Sequence, residues 1–118
     1  MREYRAHIPQ TIGELHDLIG SMMLSSPRFE DHSGYFPGKN IDTEFFALKE
    51  GFKVLRKQLG EERYHALVQM ADRMRAHFEA DPDDKTEDAI RGREIVLDME
   101  DVLAPLEAEE HEDSDGLS

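Results

Sequence analysis

Cysteine and tryptophan are both absent from this 118-residue chain. Without cysteine there is no disulfide framework and no cysteine-based zinc site. Long apolar runs are missing too, and none approaches the roughly 18 residues that a membrane span needs. The stretch Met1 to Gln10 mixes charges with a proline and has no apolar h-region, so no secretory signal is expected. A reducing, cytoplasmic setting fits these absences. Strand-like alternation bounded by hairpin turns is also wanting. Positive charge is scarce where it would matter for nucleic acid or lipid. Residues 1–80 hold 12 acids and 11 bases, whereas residues 81–118 hold 15 acids and 3 bases. Nearly all of the formal charge of -13 therefore sits in the last third. Duplex DNA and anionic membranes repel such a surface, and a basic protein surface is steered toward it. Acidic residues also simply keep proteins soluble.

What the chain does have is helical period. The first helix is expected from Ile12 to Ser25, with Thr11 and Glu14 as a capping box and Ile12, Leu15, Ile19, Met22 and Met23 on one face. The second is expected from Thr43 to Leu59, with Asp42 as N-cap and Gly60 past its end. Phe45, Leu48, Phe52, Leu55 and Leu59 form its stripe. The third spans Glu61 to Ala80, where Tyr64, Leu67, Ala71, Met74 and Phe78 repeat at three and four, and Asp81-Pro82 stops it. The fourth spans Glu87 to Leu106, with Thr86 or Asp84 as cap and Pro105 expected to end it. Its core face reads Ile95, Val96, Met99, Val102, Leu103 and Leu106. These add up to an all-α fold, a small four-helix bundle in one domain over residues 1–106. Residues 107–118, dense in like charge, are expected to form a disordered acidic tail.

Two features point outward. Ser26 to Asp42 is a longer connection than the usual about 4–6 residues, and it carries Phe29, Tyr35, Phe36 and Ile41. Gly34 and Gly38 bracket Tyr35-Phe36-Pro37, a turn that either caps the bundle with its rings or offers them as interface anchors. On the fourth helix, Ile90 and Leu97 point away from the core direction. Glu87, Glu94, Asp98 and Asp101 lie around them, within about 60° of one another on the helical wheel. An acidic ridge with two apolar knobs suits a basic protein partner. The loop, the N-terminus or a second copy could equally cover those knobs. Phe46 lies off the second helix's stripe, beside Lys49, Lys53 and Lys57, and poses the same choice.

Catalytic and metal patterns are weak. Glu62 and His65 share the spacing of di-iron bundle ligands, but His65 falls on the solvent side and no second such pair exists. Asp31-His32-Ser33 are consecutive, which cannot build a triad. Gly34 to Asn40 is one residue short of a phosphate-binding loop and lacks the hydroxyl residue after Lys39. Lys49, Lys53, Arg56 and Lys57 are too few to bind nucleic acid against this net charge. No enzyme, cofactor, metal, direct nucleic-acid or membrane function is expected. The Tyr35-Phe36-Pro37 turn beside an acidic chain is similar to the Tyr-Tyr-Pro segment of the nuclease-colicin immunity proteins, which are small acidic helical bundles. The resemblance covers three residues, with Phe36 in place of the second Tyr, and the turn here precedes the second helix. It implies a bacterial inhibitor that occludes a nuclease-type toxin. The leading expectation is thus an immunity- or antitoxin-like module that masks a basic protein through Tyr35, Phe36, Glu87, Ile90, Glu94, Leu97, Asp98 and Asp101. The alternative is a homodimeric structural or regulatory adaptor.

Overall fold

The computed structural model describes residues 6–30 and 38–115, and residues 111–115 as backbone alone. Among the described residues every regular element is a helix. They run α1 (Ile12–Ser25), α2 (Ile41–Val54), α3 (Arg56–Leu59), α4 (Glu61–Ala80) and α5 (Glu87–Asp115). The longest helix, α5, packs on α4 and on α1, and α2 packs on α4.

The expected faces close on a single core. Ile12, Leu15, Ile19 and Met22 from α1 meet Phe45, Leu48 and Phe52 from α2, Leu67, Ala71, Met74 and Phe78 from α4, and Val96, Met99 and Leu103 from α5. Each fully buried Leu, Ile or Phe in it stabilises the fold by about 1.5–3 kcal/mol relative to exposure. The long connection also contributes. Phe29 is fully buried with its ring edge-on to Phe45 and to Phe78, at centroid distances of 5.6 and 5.3 Å. Its φ of 60° is unusual for a bulky residue, and the burial of its ring offsets that cost.

Three boundaries differ from the sequence expectation. The second helix begins two residues early. Asn40, not Asp42, is its N-cap: its side chain accepts from Thr43 N while Thr43 Oγ1 accepts from Asn40 N. That helix also breaks, because Leu55 leaves helical geometry (φ -96°, ψ 4°), so among the described residues five helices stand where four were expected. Leu55 and Leu59 stay buried through the break, and Gly60, at φ 83°, makes the turn into α4. Finally, α5 does not stop at Pro105 or Leu106. Proline lacks an N–H and so forfeits the bond to the carbonyl of Asp101. Asp101 is exposed, so water can satisfy that carbonyl, and the helix continues to Asp115.

Contacts explain why the extra turns stay helical. Ile12 N and Gly13 N, two free donors of the first turn of α1, donate to Glu110 Oε2 and Oε1 at 2.9 and 3.1 Å. Gln58 Nε2 donates to the same carboxylate at 3.1 Å. Glu14 N donates to Thr11 Oγ1 at 3.0 Å, as the capping box requires. The reciprocal bond is displaced by one residue, from Gln10 N to Glu14 Oε1. The expected tail thus supplies, through Glu110, a cap for α1.

Candidate functional site

What aims α5 is the turn before it. Asp81 is buried just past the end of α4, and its carboxylate accepts from Lys85 N, Thr86 N and Ala89 N at 2.8, 3.0 and 3.1 Å. Burial pushes the Asp81 carboxyl up, but these backbone donors together outweigh it and hold the group below its ordinary 3.8. Thr86 Oγ1 accepts from Asp88 N, the modest capping role expected of it. Arg93 then ties α5 to the end of α1 and to the turn before α5, donating to Ser26 Oγ and to both oxygens of Asp84.

Two histidines brace the sides of the same helix. His16 of α1 lies 2.8 Å from Glu107 and 3.9 Å from Glu100, and His77 of α4 lies 2.9 Å from Asp88. Both are half-buried. Close packing reinforces them: Gly92 lets α5 lie directly on the Phe78 ring, where a Cβ would fall 2.5 Å from Cε1. With one face pinned in this way, the other face of α5 is left to solvent.

That outward face carries the residues read from the sequence. Ile90 and Leu97 are each 52% exposed. Glu87, Glu94, Asp98 and Asp101 are exposed beside them. Glu87 reaches Arg91 at 3.4 Å, one turn along the helix. Among the described residues no hydrogen bond or ion pair engages the side chain of Glu94, Asp98 or Asp101. This sets them apart from most acids here, including Asp42, Glu61, Asp72, Asp83 and Asp84, which all have basic partners. Toward α4 the face drops into a groove of about 590 Å³, with Ile95 in its lining and Arg73 and His77 on the far wall. Arg73 and Arg91 were not anticipated, and they temper the acidity along that edge.

Tyr35 and Phe36 lie outside the described residues. The structure therefore brings together six of the eight expected residues, all on α5. Other exposed apolar side chains stand apart from this face: Phe46, 59% exposed on α2, Val54 at the end of α2, and Leu24, 89% exposed in the last turn of α1. Leu24 and Val54 gave no signal in the sequence reading, since each sits within a turn of core residues. Glu44 was missed for the opposite reason. It is buried on α2, with Lys39 Nζ 3.7 Å away, although its type and position suggested solvent.

The described residues contain no group of three histidine, cysteine, aspartate or glutamate side chains placed to hold a metal ion. His65 is exposed and lies 3.3 Å from Glu61, pointing away from the core as expected. No described helix is long and apolar enough to cross a membrane. Compared with family models, characterised proteins and solved structures, the chain matches none of them.

Proposed function

We propose that this chain is an acidic helical protein-binding module that masks a basic surface of a protein partner, most concretely as an immunity- or antitoxin-like inhibitor. The observation that carries the reading is the outward face of α5. Glu94, Asp98 and Asp101 stand there without a basic partner among the described residues, around the exposed Ile90 and Leu97. Charge of one sign raises the encounter rate with an opposite surface, and aliphatic groups at the centre supply desolvated contact. An inhibitor of this kind acts by occupancy: acidic side chains pair with the Lys and Arg that its target uses to hold anionic substrate. A nuclease-type toxin is the target class that the Tyr35-Phe36-Pro37 resemblance suggests.

Tagged full-length chain captured from its native cell at low and high salt, followed by native mass spectrometry, tests this. The reading expects a single basic protein at one-to-one stoichiometry, released by salt and lost on Glu94→Lys with Asp98→Lys. A captured protein indifferent to both salt and those substitutions would sink it.

A second reading, a homodimeric adaptor, draws support from Leu24, Phe46 and Val54. These apolar residues are exposed on helices other than α5. Concentration-dependent sedimentation separates the two readings, because the adaptor is dimeric without any partner.

A further inference from the structure

The exposed face of α5 has a finer order than an acidic ridge. Starting at Glu87, residues alternate three and four apart: Glu87, Ile90, Glu94, Leu97, Asp101, Ala104 and Ala108. All seven are exposed. This seam has heptad spacing, but acids, Glu87, Glu94 and Asp101, take one of the two positions that a coiled coil fills with apolar residues, while Ile90, Leu97 and Ala104 hold the other. It lies opposite the core line of Gly92, Met99 and Leu106, all of which are buried. From Glu87 to Ala108 the seam runs about 31 Å at 1.5 Å per residue. The α5 helix thus has two packing faces, one filled by α1 and α4 and one left open.

We infer that the open seam docks an α-helix of the partner, one that alternates apolar side chains with Lys or Arg at the same three-and-four spacing. The inference rests on the reading of α5 as the binding face, and it adds the form of what binds there. A second copy of this chain is a poor occupant. In parallel pairing, Glu94 and Asp101 would meet their own counterparts, a like-charge contact. In antiparallel pairing, each acid would be desolvated against Ile90 or Leu97 without a counter-ion. A basic helix avoids both costs. Its cations meet Glu87, Glu94 and Asp101, its aliphatics meet Ile90 and Leu97, and Ala104 lets the two backbones approach. Asp98, at the flank next to the seam, adds an acid to the same edge. An extended segment repeats its same-face side chains about every 6.6 Å, out of step with the rises of about 4.5 and 6 Å between successive residues of this seam, which a helix matches.

The test uses the full chain and two synthetic 21-residue peptides of identical composition. In one, leucines and lysines alternate at the seam spacing on a single helical face; in the other, the order is scrambled. Binding is read by titration calorimetry, with native mass spectrometry for stoichiometry. The patterned peptide is expected to bind one-to-one and at least about tenfold more tightly than the scrambled one. Glu94→Lys and Leu97→Gln are each expected to weaken it about tenfold. Glu62→Lys, an equal charge reversal at an exposed acid of α4, should change it less than about twofold, as a distant surface charge should. Circular dichroism checks that each variant keeps its helices, which exposed substitutions should leave intact. Equal binding of the two peptides would overturn the seam and leave the acidic-face reading standing. No binding of either peptide would overturn the seam as well. The acidic-face reading falls separately, if a captured native partner ignores Glu94→Lys with Asp98→Lys. A dimer of the chain alone that dissolves on Leu97→Gln would also overturn the seam, by naming a second copy as its occupant.

Discussion

Replacing Gly92 with alanine should destabilise this protein, although alanine is the better helix former. Gly92 lies within α5 and is buried. In helix propensity alone the substitution gains about 1 kcal/mol. Against that, a Cβ at this position would lie 2.5, 2.7 and 2.9 Å from Cε1, Cζ and Cδ1 of Phe78. Phe78 cannot swing aside freely, because its ring is fully buried and edge-on to Phe29. Overpacking of this kind costs about 1–3 kcal/mol and at the upper end exceeds the propensity gain. Because the clash is with a fully buried ring already packed on Phe29, the upper half of that range applies, and the net loss is about 1–2 kcal/mol. For a chain of this length that is a fall in Tm of about 4–8 °C. Gly20, in α1, is the control: nothing lies within 4 Å of its Cβ position. Gly20→Ala should therefore raise Tm by about 2–4 °C through propensity alone. The assay is thermal unfolding by circular dichroism for both variants, with Phe78→Leu and the Gly92→Ala/Phe78→Leu double variant completing a cycle. A smaller residue at 78 relieves the overlap, so the double variant should be about 1 kcal/mol more stable than the sum of the singles. If Gly92→Ala is neutral or stabilising, or if the cycle is additive, the close α4–α5 packing argued here is wrong.

Three further outcomes follow from the same contacts. Glu110→Ala should cost about 1 kcal/mol in urea unfolding, because two donors of the first turn of α1 lose their acceptor, and truncation after Leu106 should cost at least as much; an unchanged midpoint in both would show that the last turns of α5 carry no load. Phe29→Ala should cost about 3–4 kcal/mol, a large share of a small domain's stability, and a well-dispersed amide spectrum with an unchanged Tm would contradict the placement of that ring. The Asp81 carboxyl is held below its ordinary 3.8 in the fold, so it stabilises the native state above that pH, and this contribution drains away as pH falls through the lower folded value. Asp81→Asn should therefore lower Tm at pH 7 and narrow the gap to the unmodified chain as pH drops toward 3, whereas a gap independent of pH would remove the carboxylate from the account.

Much of the architecture was legible because core helices announce themselves by period. The bounds of α1 and α4, Ile12–Ser25 and Glu61–Ala80, agree with the sequence reading at both ends, where Thr11, Ser26-Pro27, Gly60 and Asp81-Pro82 stand. What sequence reasoning missed depends on contacts between segments far apart in the chain. Nothing local to Glu110 says that the free N–H groups of Ile12 and Gly13 will meet it, 98 and 97 residues away. Without that partner, proline and like charge argued for a stop at Pro105. The break at Leu55 escaped for another reason: the apolar stripe runs straight through it, and periodicity cannot see a single residue leaving helical geometry. Of the candidate site, the six α5 residues were readable because two apolar residues seven apart stood opposite a well-defined core line. The groove wall from Arg73 and the packing of Gly92 on Phe78 belong to the α4–α5 pairing, which the helical wheel of either helix does not contain.

Everything proposed for function turns on a basic protein partner held by Glu94, Asp98 and Asp101 on α5. The most direct measurement is the affinity of the captured partner for the unmodified chain and for the Glu94→Lys/Asp98→Lys/Asp101→Lys variant, each across a salt series. The unmodified chain should bind one-to-one with affinity falling steeply as salt rises, and the variant should lose at least about a hundredfold at low salt along with most of that salt dependence. Equal affinities with equal salt slopes would contradict this, and would move the binding surface away from this face of α5.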